Sequence, residues 1–192
     1  MRVAPGVVDK SLALVGWAFE TPKPPEKKYV LLCWPHTSNW DGLLLVTLGR
    51  SIDLQLQWMV KDTWVKGPLG IVTRRVGAVP INRSRKTNVV EQMVEQFRQR
   101  DELALAIPPE GTRSLAEHWK SGFYWIAVGA GVPVVPGYLD YANKRAGLGP
   151  AIPMTGDVHA DMAKIRGYYT KRNPTARDPS KVGPIRLREE SA

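Results

Sequence analysis

Tyr29-Val30-Leu31-Leu32-Cys33 is a short unbroken apolar run, the composition of a strand buried on both faces. It gives way to Trp34-Pro35-His36-Thr37-Ser38-Asn39-Trp40-Asp41, a polar, turn-forming stretch. Gly42-Leu43-Leu44-Leu45-Val46-Thr47-Leu48 follows and predicts a helix. Strand, loop and helix in that order form the opening unit of a layered α/β fold. Downstream the alternation continues. Gln57–Val60, Gly77–Ile81 and Leu103–Ile107 read as strands, as does Val132–Leu139 despite its two prolines. Lys66-Gly67-Pro68-Leu69-Gly70 reads as a loop before a short helix. The clearest helix is 88–100, where Val89, Val90, Met93, Val94 and Phe97 recur at helical spacing and Asn88 with Glu91 resembles a capping box. Asp157–Tyr169 predicts a further helix. The expected architecture is a single α/β domain with a largely parallel sheet flanked by helices. That domain is expected over 29–170, after an amino-terminal segment 1–28 and before a basic, irregular, Pro- and Arg-rich tail 171–192.

The 192 residues suit one domain with a real hydrophobic core, and 43% hydrophobic content argues against disorder. The single cysteine, Cys33, excludes an internal disulfide and a cysteine-based zinc site. Asp9, Lys10 and Glu20 interrupt the opening residues, which therefore lack a signal peptide's apolar stretch and suit a cytoplasmic protein. Ser121–Leu139 carries no charge, but Gly129, Gly131, Pro133, Pro136 and Gly137 break it into helix, turn and buried strand instead of a membrane span.

With 27 Lys+Arg against 18 Asp+Glu the chain carries +9, and the excess is uneven. Residues 61–100 hold 9 basic and 3 acidic groups, 101–140 hold 2 and 5, and 141–192 hold 10 and 5. Two basic segments flanking an acidic one favour an anionic partner: a phosphate-bearing ligand, an anionic lipid headgroup or nucleic acid. Nucleic acid is the weakest of these, because the chain shows neither an aromatic-and-basic RNA signature nor zinc-finger spacing.

His36 stands at the exit of the first strand, with Asp41 five positions on. Five residues along a regular helix turn about 140° off the starting face, so the two can meet only across a helix start. In that arrangement the carboxylate bonds Nδ1 and leaves Nε2 as a base. The competing use of Asp41 is as the last residue of a Ser38-x-x-Asp41 capping box, engaged with backbone amides. No nucleophile accompanies the histidine: there is no Gly-x-Ser-x-Gly elbow, and Cys33 lies in an apolar strand. A histidine base without a nucleophile suits direct attack by a substrate hydroxyl. His118 and His159 show no paired metal-ligand spacing with each other or with His36, so no metal site is expected. After the strand-like run Leu103–Ile107, Pro109-Glu110-Gly111-Thr112-Arg113-Ser114 gathers a carboxylate, a flexible glycine, two hydroxyls and a guanidinium. Arg113 offers a bidentate fork, and Thr112 and Ser114 offer donors, so the loop can hold a phosphate; otherwise Glu110 and an arginine simply tie it down. Arg83, at the end of another strand, is a second candidate anion contact. Ligands of open α/β sheets bind at the carboxyl ends of strands, where all these residues fall.

Taken together these blocks resemble the glycerophosphate and lysophosphatidic acid acyltransferases of phospholipid synthesis. His36-Thr37-Ser38-Asn39-Trp40-Asp41 is similar to that family's His-x-x-x-x-Asp motif, and Gly77-Ala78-Val79-Pro80-Ile81-Asn82-Arg83 to its second block. Pro109–Ser114 resembles the third and Val132-Pro133-Val134-Val135-Pro136 the fourth, so the resemblance spans roughly 29–140 in order. It implies that His36 takes the proton of an acceptor hydroxyl, that Asp41 orients it, and that Arg83, Glu110, Gly111 and Arg113 hold the acceptor. It also implies acyl-coenzyme A or acyl-carrier protein as co-substrate, no bound cofactor, a lysophospholipid acceptor, and peripheral attachment to an anionic membrane surface at the inner face of the cell membrane. Ser11–Phe19 and Trp17 are candidate docking elements, with Trp17 alternatively a core residue. Asn82 replaces a common aspartate and Pro108 the usual aromatic, which leaves another hydroxyl-bearing lipid, an amino lipid or glycolipid, as the alternative acceptor.

Overall fold

The computed structural model describes residues 16–61, 77–81 and 89–191. Seven strands form one sheet: β1 (Ala18–Phe19), β2 (Lys28–Cys33), β3 (Leu56–Lys61), β4 (Ala78–Ile81), β5 (Leu103–Ile107), β6 (Val134–Asp140) and β7 (Arg145–Leu148). Their order is β1-β7-β6-β2-β5-β3-β4, and every pairing is parallel except β6 with β7. The helices are α1 (Asn39–Ser51), α2 (Val89–Gln99), α3 (Gly122–Ala130) and α4 (Val158–Arg172). This is the mostly parallel α/β layer architecture expected from the alternation of runs.

β2 lies at the centre, between β5 and β6, and Val30, Leu31 and Leu32 are fully buried. Val30 and Leu32 enter one hydrophobic cluster and Leu31 another, so alternate side chains supply opposite faces of the sheet, which is why the strand reads as a continuous apolar run. α2 buries Met93, Val94 and Phe97, its helical-period stripe, and packs against α3. The two helices approach closely at Gly129, where a Cβ would stand 2.9 Å from Val94 Cγ2. Pro136 is tolerated inside β6 because its carbonyl accepts from Gly149 N–H (2.7 Å), just past the end of β7. The missing N–H faces that same side, where the β7 ladder has ended.

Three features differ from expectation. β1 and β7 extend the sheet back to Ala18 and forward to Leu148, in segments where no strand is predicted. Gly147 carries no side chain because Tyr138 covers it: a Cβ there would meet the phenol oxygen at 2.4 Å. The carboxy-terminal stretch has only two short 3-10 turns, Pro179–Lys181 and Arg188–Ser191, but it is packed onto the domain. Ala176 and Leu187 are buried, and Leu187 bridges to Trp119. Asn88, the proposed cap of α2, the Lys66–Gly70 loop, Arg83 and the Ser11–Val15 part of the docking stretch lie outside the described residues. Trp17 is half-buried, its ring edge-on to Tyr141 at 5.2 Å.

Candidate active site

β2 ends at Cys33, and its chain leaves the sheet as the loop that carries His36 into α1. Ser38 caps that helix: its hydroxyl accepts from Trp40 N–H (3.2 Å), and Asp41 returns the bond to the Ser38 N–H (2.8 Å). Asp41 Oδ2 also accepts from Thr37 N–H at 2.7 Å and stands 3.4 Å from His36 Nδ1. Capping box and histidine contact therefore coexist, since a carboxylate has lone pairs for both. The histidine contact is the long one because two backbone amides already occupy the same oxygen; such bonds tighten when substrate binds. On Oδ1, Tyr141 donates its phenol proton at 2.6 Å. Burial would raise the Asp41 carboxyl, but the bonds from His36, Tyr141, Ser38 and Thr37 outweigh it and hold the group below the ordinary carboxylate range. Its charge is thus fixed beside Nδ1, leaving Nε2 as the free nitrogen of His36.

Beside this dyad opens a cavity of about 1510 Å³. Its polar wall includes His36, Asp41, Gly111, Thr112, Arg113 and Ser114, while Leu45, Trp58, Met59, Phe123 and Ile126 are among its apolar lining. The loop after β5 is shaped locally: Gly111 N–H donates to Pro108 O (3.1 Å), Ser114 N–H to Thr112 Oγ1 (3.2 Å) and Lys120 N–H to Pro109 O (2.8 Å). Gly111 sits at φ +64, and a Cβ there would meet the Lys120 stem at 2.8 Å, so both conformation and space call for glycine. Arg113 reaches across the mouth and donates to Asn39 Oδ1, tying the loop to the first residue of α1.

Glu110 is placed differently from its neighbours. It is buried behind the cavity wall, and Oε2 accepts from His36 N–H (3.1 Å) while Oε1 has no partner. Its contact is with the backbone of the histidine loop. Burial, opposed by the His36 N–H and reinforced by the Asp41 charge, pushes the carboxyl up to about 8. The folded state therefore holds this proton from the ordinary 4.5 up to about 8. The associated stability is complete below pH 4.5 and declines as pH rises to about 8. Glu110→Gln mimics the protonated form, and we expect its melting temperature to fall less than the wild type's between pH 5 and pH 9; parallel curves would contradict this assignment.

Cys33 is not available as a nucleophile, because burial, slightly opposed by a hydrogen bond with the Ile107 backbone, pushes its thiol up to about 12. Among the described residues no group of three or more His, Cys, Asp or Glu is placed to hold a metal.

Sequence reasoning missed three contributors. Tyr141 lies in the turn after β6, and its own N–H donates to Thr175 O (2.9 Å). The Arg177 guanidinium stands 5.9 Å from the Tyr141 ring and 5.8 Å from that of Trp40. Asp178 N–H donates to Thr37 Oγ1 (3.2 Å). The carboxy-terminal segment thus laces over the His36–Asp41 loop through contacts more than a hundred positions apart, for which local sequence carries no signal.

At the strand ends of this mostly parallel α/β sheet stand a histidine–carboxylate pair and a hydroxyl- and guanidinium-bearing loop, beside a cavity with an apolar lining. The family model Acyltransferase matches residues 19–140, and the chain belongs to that acyltransferase family. No curated protein matches it significantly. Among solved structures it is similar to the 1-acyl-sn-glycerophosphate (LPA) acyltransferase PlsC from Thermotoga maritima, with a TM-score of 0.59 and 16% identity over 90% of this chain and 80% of that one. The likeness is one of fold.

Proposed function

We propose that this acyltransferase moves a fatty acyl group from a thioester donor to the free hydroxyl of a lysophospholipid such as 1-acyl-glycerol-3-phosphate. The observation that carries the reading is the His36–Asp41 pair at one end of a large groove with apolar walls, faced by the Gly111–Ser114 loop. His36 Nε2 takes the proton of the acceptor hydroxyl, and the hydroxyl oxygen attacks the thioester carbonyl carbon. The tetrahedral oxyanion collapses, the C–S bond breaks, and the imidazolium returns the proton to the departing thiolate. Asp41 balances the imidazolium while it lasts. Arg113, Thr112 and Ser114 bind the acceptor's phosphate, with Arg83 as a second contact. Glu110 supports the acceptor site indirectly, by holding the histidine loop. At about 1510 Å³ the cavity exceeds the roughly 300–1,000 Å³ of ordinary small-molecule sites, which favours an elongated substrate.

The acceptor is a membrane lipid, so the enzyme works at the anionic inner face of the cell membrane. Exposed Trp40 (54%) and Leu43 (56%) on the first turn of α1, Leu115 (61%), and the guanidinium groups of Arg113 and Arg177 support docking of the cavity mouth there. Among the described residues no helix is long and apolar enough to cross a membrane.

The test is an acceptor panel. Long-chain acyl-coenzyme A and acyl-carrier protein are each offered with lysophosphatidate, an amino lipid and a glycolipid in anionic vesicles, and products are identified by mass. Phosphatidate as the dominant product supports the reading. Acylation of the amino lipid or glycolipid instead would favour the acceptor that Asn82 and Pro108 leave open, and no acylation of any acceptor would overturn the proposal.

A further inference from the structure

Asp41 Oδ2 has three neighbours from its own loop, but Oδ1 is met from the turn after the neighbouring strand β6, by the Tyr141 phenol at 2.6 Å. Tyr141 is itself held in place by Thr175 O on its N–H, by the Trp17 ring edge and by Arg177 above the ring. The preceding residue anchors the same turn: the Asp140 carboxylate accepts from Asn143 Nδ2 (2.7 Å) and, at 3.4 Å, from the Thr175 N–H. Burial and the adjacent Asp41 carboxylate push the Tyr141 phenol up, with Arg177 opposing, so the phenol keeps its proton and donates. Both Tyr141 and Arg177 lie beyond residues 19–140, the stretch shared with the family.

We infer that Tyr141, braced by the carboxy-terminal segment at Thr175 and Arg177, is a positioning residue that orients the Asp41 carboxylate and draws part of its charge away from His36. The inference rests on the proposed role of His36 as base. A carboxylate that spreads its charge over four donors pulls less strongly on any one of them. Removing the phenol donor concentrates charge on the bond to Nδ1 and strengthens Asp41's grip on an imidazolium. The other titratable groups around the pair are Glu110, held protonated beneath the His36 N–H, and the charged Arg113 through Asn39, Asp178 through Thr37, and Arg177 itself.

Histidine titration by NMR on the full chain tests this without substrate, since only His36, His118 and His159 contribute signals. In Tyr141→Phe the His36 midpoint should move to higher pH by about half a unit or more, the other two staying fixed. In Asp41→Asn, adding Tyr141→Phe should move it no further. An unchanged His36 midpoint in Tyr141→Phe, or an equal shift with Asp41 already replaced, would overturn the inference. If Tyr141→Phe does not fold, 3-fluorotyrosine at 141 keeps the ring and donates more strongly; the His36 midpoint should then fall, and a fixed midpoint would again overturn the inference. In turnover, Tyr141→Phe should lower kcat on the order of 10-fold with KM within about 2-fold, because an imidazolium gripped more tightly returns its proton to the leaving thiolate less readily. A titration shift with no acyl transfer from any protein would leave the positioning intact and defeat the proposed function instead.

Discussion

Replacing His36 by alanine is expected to lower kcat for acyl transfer by about 10²–10⁴-fold, the usual contribution of a positioned general base. The side chain lines the cavity and is about one-fifth exposed, so its loss leaves no buried apolar void. What holds the loop is backbone: the His36 N–H donates to Glu110, and the next two amides donate to Asp41. All three bonds survive in His36→Ala, so melting temperature should move by no more than a degree or two while turnover collapses. Turnover near the wild-type rate in a folded His36→Ala would remove the base from the mechanism. An activity loss that tracks a loss of fold would show that the histidine is structural.

Asp41→Asn has a second large effect, through both chemistry and stability. The carboxylate meets four donors: two backbone amides, the Tyr141 phenol and His36 Nδ1. An asparagine has one acceptor oxygen, so its NH2 must face a donor. At the Oδ2 position it faces both backbone amides and His36 Nδ1: the cap of α1 is lost, Nδ1 has to accept, the ring proton moves to Nε2, and the base is blocked. At the Oδ1 position it faces the Tyr141 phenol, which must turn its proton away to accept, and the negative charge beside the imidazolium is gone in either case. The kinetic loss should be on the order of 10³–10⁴-fold, as for other carboxylates that fix a histidine tautomer. Stability should also fall by about 1–3 kcal/mol, the usual consequence of buried donors left unpaired. The pH dependence has a definite sign. The folded carboxyl lies below its ordinary 3.8, so its contribution is complete above that value and is lost as pH falls through the lower folded one. The stability gap between wild type and Asp41→Asn, measured by urea unfolding, should therefore be largest near neutral pH and narrow in acid. A gap that stays constant down to pH 3 would contradict the bonding described for Asp41.

Local chemistry made much of this visible in advance. β2, β5 and α2 announce themselves because burial on both faces, or along one helical stripe, writes a pattern into consecutive residues. The His36–Asp41 pair and the Gly111–Ser114 loop are also local, each lying within six positions at a strand exit. Where the alternatives for Asp41 were cap or histidine partner, one carboxylate serves both.

What stayed hidden is non-local or is decided by a neighbour. β7 has a glycine at its centre because the Tyr138 ring lies over it, and a four-residue strand chosen by someone else's side chain has no period to read. Glu110 sits in a loop of exposed polar residues, yet only the fold turns it inward under His36 instead of out into the groove. Tyr141 and Arg177 reach the site across 100 and more positions, from a turn and from a Pro- and Arg-rich stretch that reads as a tail. Arg83 lies outside the described residues, so its part in binding rests on the second block alone.

One thioester should be consumed for each new ester made on a lipid hydroxyl. The most direct measurement follows free thiol and phosphatidate together, using long-chain acyl-coenzyme A and lysophosphatidate in anionic vesicles with the wild-type protein. Thiol and phosphatidate should appear in equal amounts, and neither should form when lysophosphatidate is omitted. Thiol released at the same rate without an acceptor would make the protein a thioester hydrolase and contradict the account.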